Sequence, residues 1–377
     1  SRIRAIDIQD LLRREEVKVN LEEIGMYLSG RNVLVTGAGG SIGQELSRQI
    51  AGFDPESLIL LGHGENDIYE VNIDLLEIFP NLNTIPVIAD IRDSERIDWV
   101  FSSYKPDVVF HAAAHKHVPL MESNSKEAIS NNVFGTWNVA NAAERYGAER
   151  FVLISTDKAV NPVSVMGCSK RAAEILIQAL ARGSKTKFMA VRFGNVLGSR
   201  GSVIPLFKRQ ISRGGPITVT HPDMVRYFMT IPEAAQLVIQ AAAMGRGGEI
   251  FILDMGEPVR IVDLARDMVR LSGLDPDYDI EIQFTGIRPG EKIVEELLTA
   301  EEGTCTTVHQ RIFVAKGEAL LDGSIRKFLD TCRKFAEDND EGGKAFVSWI
   351  QEITSPKKPS KPHELQQLSQ VQDNLLT

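Results

Sequence analysis

The chain has 377 residues, 43% of them apolar and 25% charged, with a net charge of −9. That make-up suits a globular protein, either one large α/β domain with an appended lobe or two domains. The acidic balance argues against nonspecific nucleic-acid binding, and no apolar run reaches the roughly 18 residues of a membrane helix.

Residues 1–29 are charged apart from one amphipathic stretch, Ile8–Arg14, and read as a lead-in arm. Short apolar strands are expected at Asn32–Thr36, Ser57–Leu61, Thr84–Ala89, Asp107–Ala112, Phe151–Ser155 and Phe188–Arg192. Helical periodicity lies between them at Ser41–Ala51, Glu65–Ile78, Asp93–Tyr104, Ser125–Tyr146 and Ser164–Ala181. The alternation predicts an α/β fold, a Rossmann-type doubly wound parallel sheet over 30–193. A return segment at about 232–265 holds helices at Pro232–Ala243 and Val262–Ser272 around a strand at Glu249–Asp254. Gly and Pro punctuate 194–231, which with 266–335 is assigned to a smaller C-terminal substrate lobe. The polar residues from 336 to 377 are expected to pack weakly or not at all. Cys168, Cys305 and Cys332 are widely separated, so they form neither a disulfide framework nor a metal pattern. Reduced thiols are the simple reading. His115, His117 and His221 lack ligand spacing, so no metal is expected.

Thr36-Gly37-Ala38-Gly39-Gly40-Ser41-Ile42-Gly43 follows a strand and opens a helix. Gly37 permits a tight turn, Gly40 lets backbone approach a pyrophosphate, and Gly43 lets helix and strand pack closely. The helix start offers free N–H groups to phosphates. In its strand–loop–helix setting this is a dinucleotide site, with NAD or NADP as cofactor. The acid that reads the ribose is missing, because the second strand ends Leu61-Gly62-His63-Gly64-Glu65. His63 is the nearest polar candidate, and the choice between NAD and NADP stays open.

The next informative stretch is Ser155-Thr156-Asp157-Lys158, followed by Met166-Gly167-Cys168-Ser169-Lys170. Parallel sheets bind ligands at the C-terminal ends of their strands, which is where Asp157 and Lys158 fall. A Tyr-x-x-x-Lys pair commonly serves nicotinamide chemistry at this later position, but here Met166 precedes Lys170. A thioether cannot exchange a proton. Either the site is dead, or Asp157 and Lys158 do the proton work. A Lys near another cation and partly desolvated can approach neutrality and act as a base.

The Gly37-x-x-Gly40-x-x-Gly43 spacing, Asp90-Ile91-Arg92, His111-Ala112-Ala113-Ala114 and Asn132-Val-Phe-Gly-Thr136 together resemble the extended short-chain dehydrogenase/reductase family. The resemblance implies that Asp90 and Ile91 face the adenine, that Ala112–Ala114 line the cofactor, and that Lys170 bonds the nicotinamide ribose. The run from Ser155 through Met166 to Lys170 is similar to the long, membrane-anchored UDP-N-acetylglucosamine 4,6-dehydratases that retain C5 configuration. By that likeness the sugar is oxidised at C4, loses water across C5 and C6, and receives hydride at C6. Lys158 would be the C5 base, Asp157 the acid at C6, and Ser155 and Thr156 would hold the substrate oxygen.

Further segments resemble the same enzymes. Lys116 and His117 would border the sugar, Asn195 would lie on the UDP side, and Val203 and Thr218 would pass the uracil. Arg226 and Arg288 would converge on the diphosphate, where a guanidinium fork suits phosphate oxygens. Glu291 would accept from the uridine ribose. The resemblance covers about 1–330 and includes the arm. It implies a homodimer through the helices at Ser125–Tyr146 and Ser164–Ala181. It also implies a parent protein anchored by a removed N-terminal segment at the cytoplasmic face of the bacterial membrane. Weighed beside this reading are a C5-inverting dehydratase, a 4-epimerase and a non-catalytic cofactor-bound scaffold.

Overall fold

The computed structural model describes residues 17–297, 304–315, 324–338 and 341–355. The stretch at Ile8–Arg14 and the polar residues after 355 lie outside them. Helix α1 (Leu21–Leu28), capped by the Asn20 side chain, buries Ile24, Tyr27 and Leu28. Then β1 (Asn32–Thr36), α2 (Ser41–Ala51), β2 (Ser57–Gly62), α3 (Glu65–Ile78), β3 (Thr84–Ile88), α4 (Ser94–Tyr104) and β4 (Val108–His111) alternate. The helix expected over Ser125–Tyr146 is segmented. After α5 (Val118–Glu122) come α6 (Ser125–Ile129), a π-helical turn at Ser130–Gly135 and α7 (Thr136–Arg145). Strand β5 (Arg150–Ile154) leads through a 3-10 turn at Asp157–Ala159 into α8 (Val165–Ala181) and β6 (Lys187–Arg192).

Past β6 the elements shorten. They are β7 (Asn195–Val196), α9 (Val203–Ser212), β8 (Ile217–Val219), β9 (Val225–Arg226), β10 (Phe228–Met229) and α10 (Ile231–Met244). Next come β11 (Ile250–Leu253), β12 (Val259–Arg260), α11 (Ile261–Leu271) and β13 (Ile282–Phe284). Strands β14 (Thr304–Thr306) and β15 (Ile312–Ala315) and helices α12 (Ile325–Glu337) and α13 (Gly342–Thr354) close the described chain.

Nine strands form one sheet in the order β14-β15-β11-β6-β5-β4-β1-β2-β3. All pairs from β3 across to β11 are parallel. The strands are continuous apolar runs because helices cover both faces. Along β1, Val33 and Val35 face the layer of α2 and α10, while Leu34 faces α4 and α7. The strand order reverses between β1 and β4, which opens a crevice at their C-terminal ends. A separate apolar cluster of Leu197, Phe207, Ile217, Leu264 and Met268 holds the lobe together.

Two expectations are corrected here. Within 266–335, β15 pairs antiparallel with β11, and β14 with β15, so this stretch extends the main sheet rather than the lobe alone. Likewise the polar tail is not unpacked throughout. Phe346 and Ile350 of α13 are fully buried, in one cluster with Phe328, Leu329 and Cys332 of α12 and Cys168, Ala172 and Leu176 of α8. The same cluster includes Ile129 and Val133. Part of the helix surface expected to meet a second copy is therefore covered by this chain's own α12 and α13.

Candidate active site

Gly37 has φ +67°, and a Cβ there would stand 2.7 Å from the Ala113 nitrogen. A Cβ on Gly43 would fall on the Gly37 carbonyl oxygen. Both glycines thus allow the close passage of loop, helix and the β4 end that a dinucleotide cradle needs. The first helical bond of α2 runs from the Gln44 N–H to Gly40 O at 2.8 Å. This leaves the N–H groups of Ser41, Ile42 and Gly43 at the edge of a cleft of about 730 Å³. A smaller recess of about 220 Å³ adjoins it, lined by Gly39, His63, Asp90, Ile91 and Ala112–Ala114. Asp90 is held by Arg92, whose Nε lies 2.9 Å from Oδ1, and that bond keeps its carboxyl below the usual range. The donor-rich loop and its paired recesses fit a nicotinamide dinucleotide.

Across the cleft, β5 ends in the predicted turn. Asp157 is fully buried. Its Oδ1 accepts from the Thr156 hydroxyl at 2.8 Å and from Lys158 Nζ at 2.9 Å. Its Oδ2 is buried without a hydrogen-bond partner among the described residues. A Cβ on Gly194 would stand 3.2 Å from that oxygen, so Gly194 leaves it room. Lys158 Nζ also reaches Asn195 Oδ1 at 3.3 Å and Glu295 Oε1 at 3.7 Å. Burial pulls the ammonium down, but Asp157 and Glu295 outweigh it, and the Lys158 pKa stands above the ordinary lysine value. The expectation of a near-neutral Lys158 is thereby corrected. Its neighbours are two carboxylates and Arg226 rather than Lys170.

The depressed lysine is Lys170, lowered to about 8 by burial, with Glu174 pulling the other way. Its Nζ donates to Ile154 O at 2.7 Å. Beside it His111 is lowered to about 3 by burial, its ring nitrogens 2.7 Å from Thr36 Oγ1 and 3.0 Å from Thr136 Oγ1. Met166 lines the cleft and packs with Val118, Met121, Ala128 and Val165. The π-helical turn aims Asn132, which bonds His115 O and Ser169 Oγ, each at 2.9 Å, and so fixes the loop after β4.

Ser155 lines the cleft, with its hydroxyl hydrogen engaged on the far side. Its hydroxyl donates to Glu174 Oε1 at 2.6 Å, behind the cleft. Glu174 is fully buried and also takes Arg192 Nε at 2.8 Å and Arg171 Nη1 at 2.8 Å. The hydroxyl hydrogen is thus committed to a buried ionic cluster. Sequence reading missed that cluster because its members lie on β5, α8 and β6.

Lys116, His117, Asn195, Val203, Thr218, Arg226, Arg288 and Glu291 all line the larger cleft. The two arginines do not form a common fork. Arg226 is buried and spends its guanidinium on Val225 O at 2.7 Å, Ile293 O at 3.0 Å and Lys292 O at 2.8 Å. Arg288 is half-exposed and pairs with Glu291 at 3.0 Å, so one side chain at the mouth is placed to swing toward a ligand. Glu295 was not singled out from sequence. It follows a recognisable Arg-Pro-Gly-Glu-Lys run, but its neighbours Ile293, Val294 and Glu296 give no periodicity that would have marked it.

Sheet order, glycine cradle and strand-end acid/base turn define an extended short-chain dehydrogenase/reductase fold. The chain belongs to the polysaccharide biosynthesis protein family, whose profile matches residues 33–317. It is 56% identical over 316 residues to the capsular polysaccharide biosynthesis protein CapD of Staphylococcus aureus, covering 83% of this chain and 53% of that protein. It is 34% identical over 283 residues to a UDP-N-acetylglucosamine 4,6-dehydratase (inverting) of Campylobacter jejuni, covering 74% of this chain and 80% of that one. The structure of Pen from Bacillus thuringiensis superposes with a TM-score of 0.70 at 35% identity, covering 78% of this chain and 92% of that chain. The chain spans about half the length of CapD.

Proposed function

We propose that this chain is the catalytic domain of a UDP-N-acetylglucosamine 4,6-dehydratase that retains C5 configuration and serves bacterial surface glycan synthesis. The observation that carries the reading is the Asp157–Lys158 pair at 2.9 Å, set at a parallel strand end between a dinucleotide cradle and a substrate lobe. Likeness to a dehydratase of that substrate and to a capsular polysaccharide protein supports it. A nicotinamide dinucleotide bound along Gly37–Gly43 would supply the hydride acceptor for C4 and the donor for C6.

Lys158 rests as an ammonium beside Asp157. Moving one proton from Lys158 Nζ to Asp157 yields a neutral amine and a carboxylic acid, the two species the elimination needs. The amine then takes the C5 proton, and the acid protonates the departing C6 hydroxyl, which leaves as water. The elimination restores the ion pair; as hydride returns to C6, the Lys158 ammonium gives a proton to C5, and the proton released from the C4 hydroxyl makes up for it. Thr156 lines the cleft and donates to Asp157 Oδ1, which leaves its oxygen able to accept from a substrate hydroxyl such as that on C4. Retention, rather than inversion, rests on Met166 in the Ser155–Lys170 pattern.

The test is incubation with UDP-N-acetylglucosamine in D2O, followed by NMR. A 4-keto-6-deoxy product with D-xylo geometry and deuterium at C5 is expected. No such product would sink the reading, and L-arabino geometry would select the inverting reaction. Lys158→Ala should lower turnover by about 10²–10⁴-fold.

A further inference from the structure

Glu295 is 4% exposed and lies on the lobe side of the cleft. Its Oε1 stands 3.7 Å from Lys158 Nζ and 3.9 Å from Arg226 Nη2. Its Oε2 is buried without a hydrogen-bond partner among the described residues. The segment that carries it is pinned at three points. Lys292 Nζ donates to Val160 O at 3.0 Å, Val225 N to Ile293 O at 2.9 Å, and Val294 bridges Val225. A carboxylate serving packing alone would have both oxygens satisfied, because an unpaired buried acceptor costs about 1–3 kcal/mol.

We infer that Glu295 is a positioning residue for the elimination, holding Lys158 as an ammonium and tying that charge to the substrate lobe. The inference rests on the proposed task of Lys158 and deepens it. Asn195, the other lobe-side neighbour of Nζ, is neutral. The charged groups that face Lys158 are Asp157, Glu295 and Arg226. Without Glu295, Asp157 alone would oppose both burial and Arg226. When Lys158 takes the C5 proton it returns to the ammonium form, the state a fixed carboxylate 3.7 Å away favours. Glu295 therefore favours the ammonium both at rest and after the C5 proton is taken, and its contribution is to fix where Nζ sits between the strand end and the substrate lobe.

The experiment titrates the full chain labelled with carbon-13 at lysine Cε, with the Lys158 resonance assigned by its loss in Lys158→Ala. The wild-type midpoint is expected above the ordinary lysine value. Glu295→Gln should lower it by about one to three units, while Glu295→Asp, which keeps the charge, should shift it less. A midpoint that Glu295→Gln leaves in place overturns the inference. So does a wild-type Lys158 already neutral at pH 9, a result that stands even where the glutamine variant fails to fold. Lost packing alone would lower kcat at every pH without moving the midpoint. The titration uses no substrate, so absence of turnover would refute the proposed reaction while leaving this result to be read separately.

Discussion

Replacing Lys170 by Met should make the cofactor-free protein more stable at neutral pH, and the size follows from burial. Lys170 is 5% exposed, and its pKa falls from 10.5 to about 8. At about 1.4 kcal/mol per unit, keeping that ammonium buried costs the native state about 3 kcal/mol at pH 7. The variant loses the bond to Ile154 O, worth about 1 kcal/mol. The net gain is about 2 kcal/mol. The sign with pH is definite. Between about 8 and 10.5 the unfolded chain binds more protons at this residue than the native one, so wild-type stability from this group rises with pH. The advantage of Lys170→Met should shrink toward zero by pH 10. Urea unfolding of both proteins at pH 7, 8, 9 and 10 measures this directly. A variant less stable at pH 7, or a difference that stays constant with pH, would refute the reasoning. Turnover should fall in the same variant, since Met has no donor for a cofactor ribose.

Glu174→Gln should cost about 3–5 kcal/mol in urea unfolding, because it removes the carboxylate that pairs with the fully buried Arg192 and with Arg171; a loss under about 1 kcal/mol would mean that the cluster does not carry the β5–β6 junction. Phe346→Ala should cost about 3–5 kcal/mol, because the ring is fully buried between Phe335 and Trp349, with centroids 6.0 and 6.3 Å away. Light scattering on the same variant should detect association if loosening α13 uncovers the α8 face.

The legible parts of the fold were those whose signal is local. Strands β1 to β6 are apolar runs bounded by Gly and Asp, and α2, α10 and α11 carry one apolar stripe each, so periodicity found them. Strands β14 and β15 hold three and four residues at a sheet edge and join it antiparallel, which left their allegiance unreadable. Helix α13 did carry a signal, Phe346, Trp349, Ile350 and Ile353, but the Lys- and Pro-rich residues around it suggested an unpacked tail. In the site, the residue types at the β5 end were legible and their charge states were not. Lys158 owes its state partly to Glu295, far away in sequence, and the Ser155 hydroxyl hydrogen is taken by Glu174 on α8. Pairings of that range leave no mark on a local pattern.

Met166 and Lys170 can be argued as one substitution rather than two residues. Where a Tyr precedes the Lys by four, the ammonium has a phenolate to stabilise, and the anion in turn holds the lysine charged. Met166 supplies no anion; it packs among Val118, Met121, Ala128 and Val165 and lines the same cleft as Thr156 and Lys170. Lys170 is left with burial, a backbone carbonyl and only the attraction of Glu174, which is already shared with Arg192, Arg171 and Ser155. Its fall to about 8 is the physical consequence. Asp157 and Lys158, flanked by Glu295, keep their own charge balance at the same β5 end, which is why the proposed reaction assigns them the proton transfer. Under the proposed reaction, the absent phenol and the use of Asp157–Lys158 belong to one distribution of charge around the cleft.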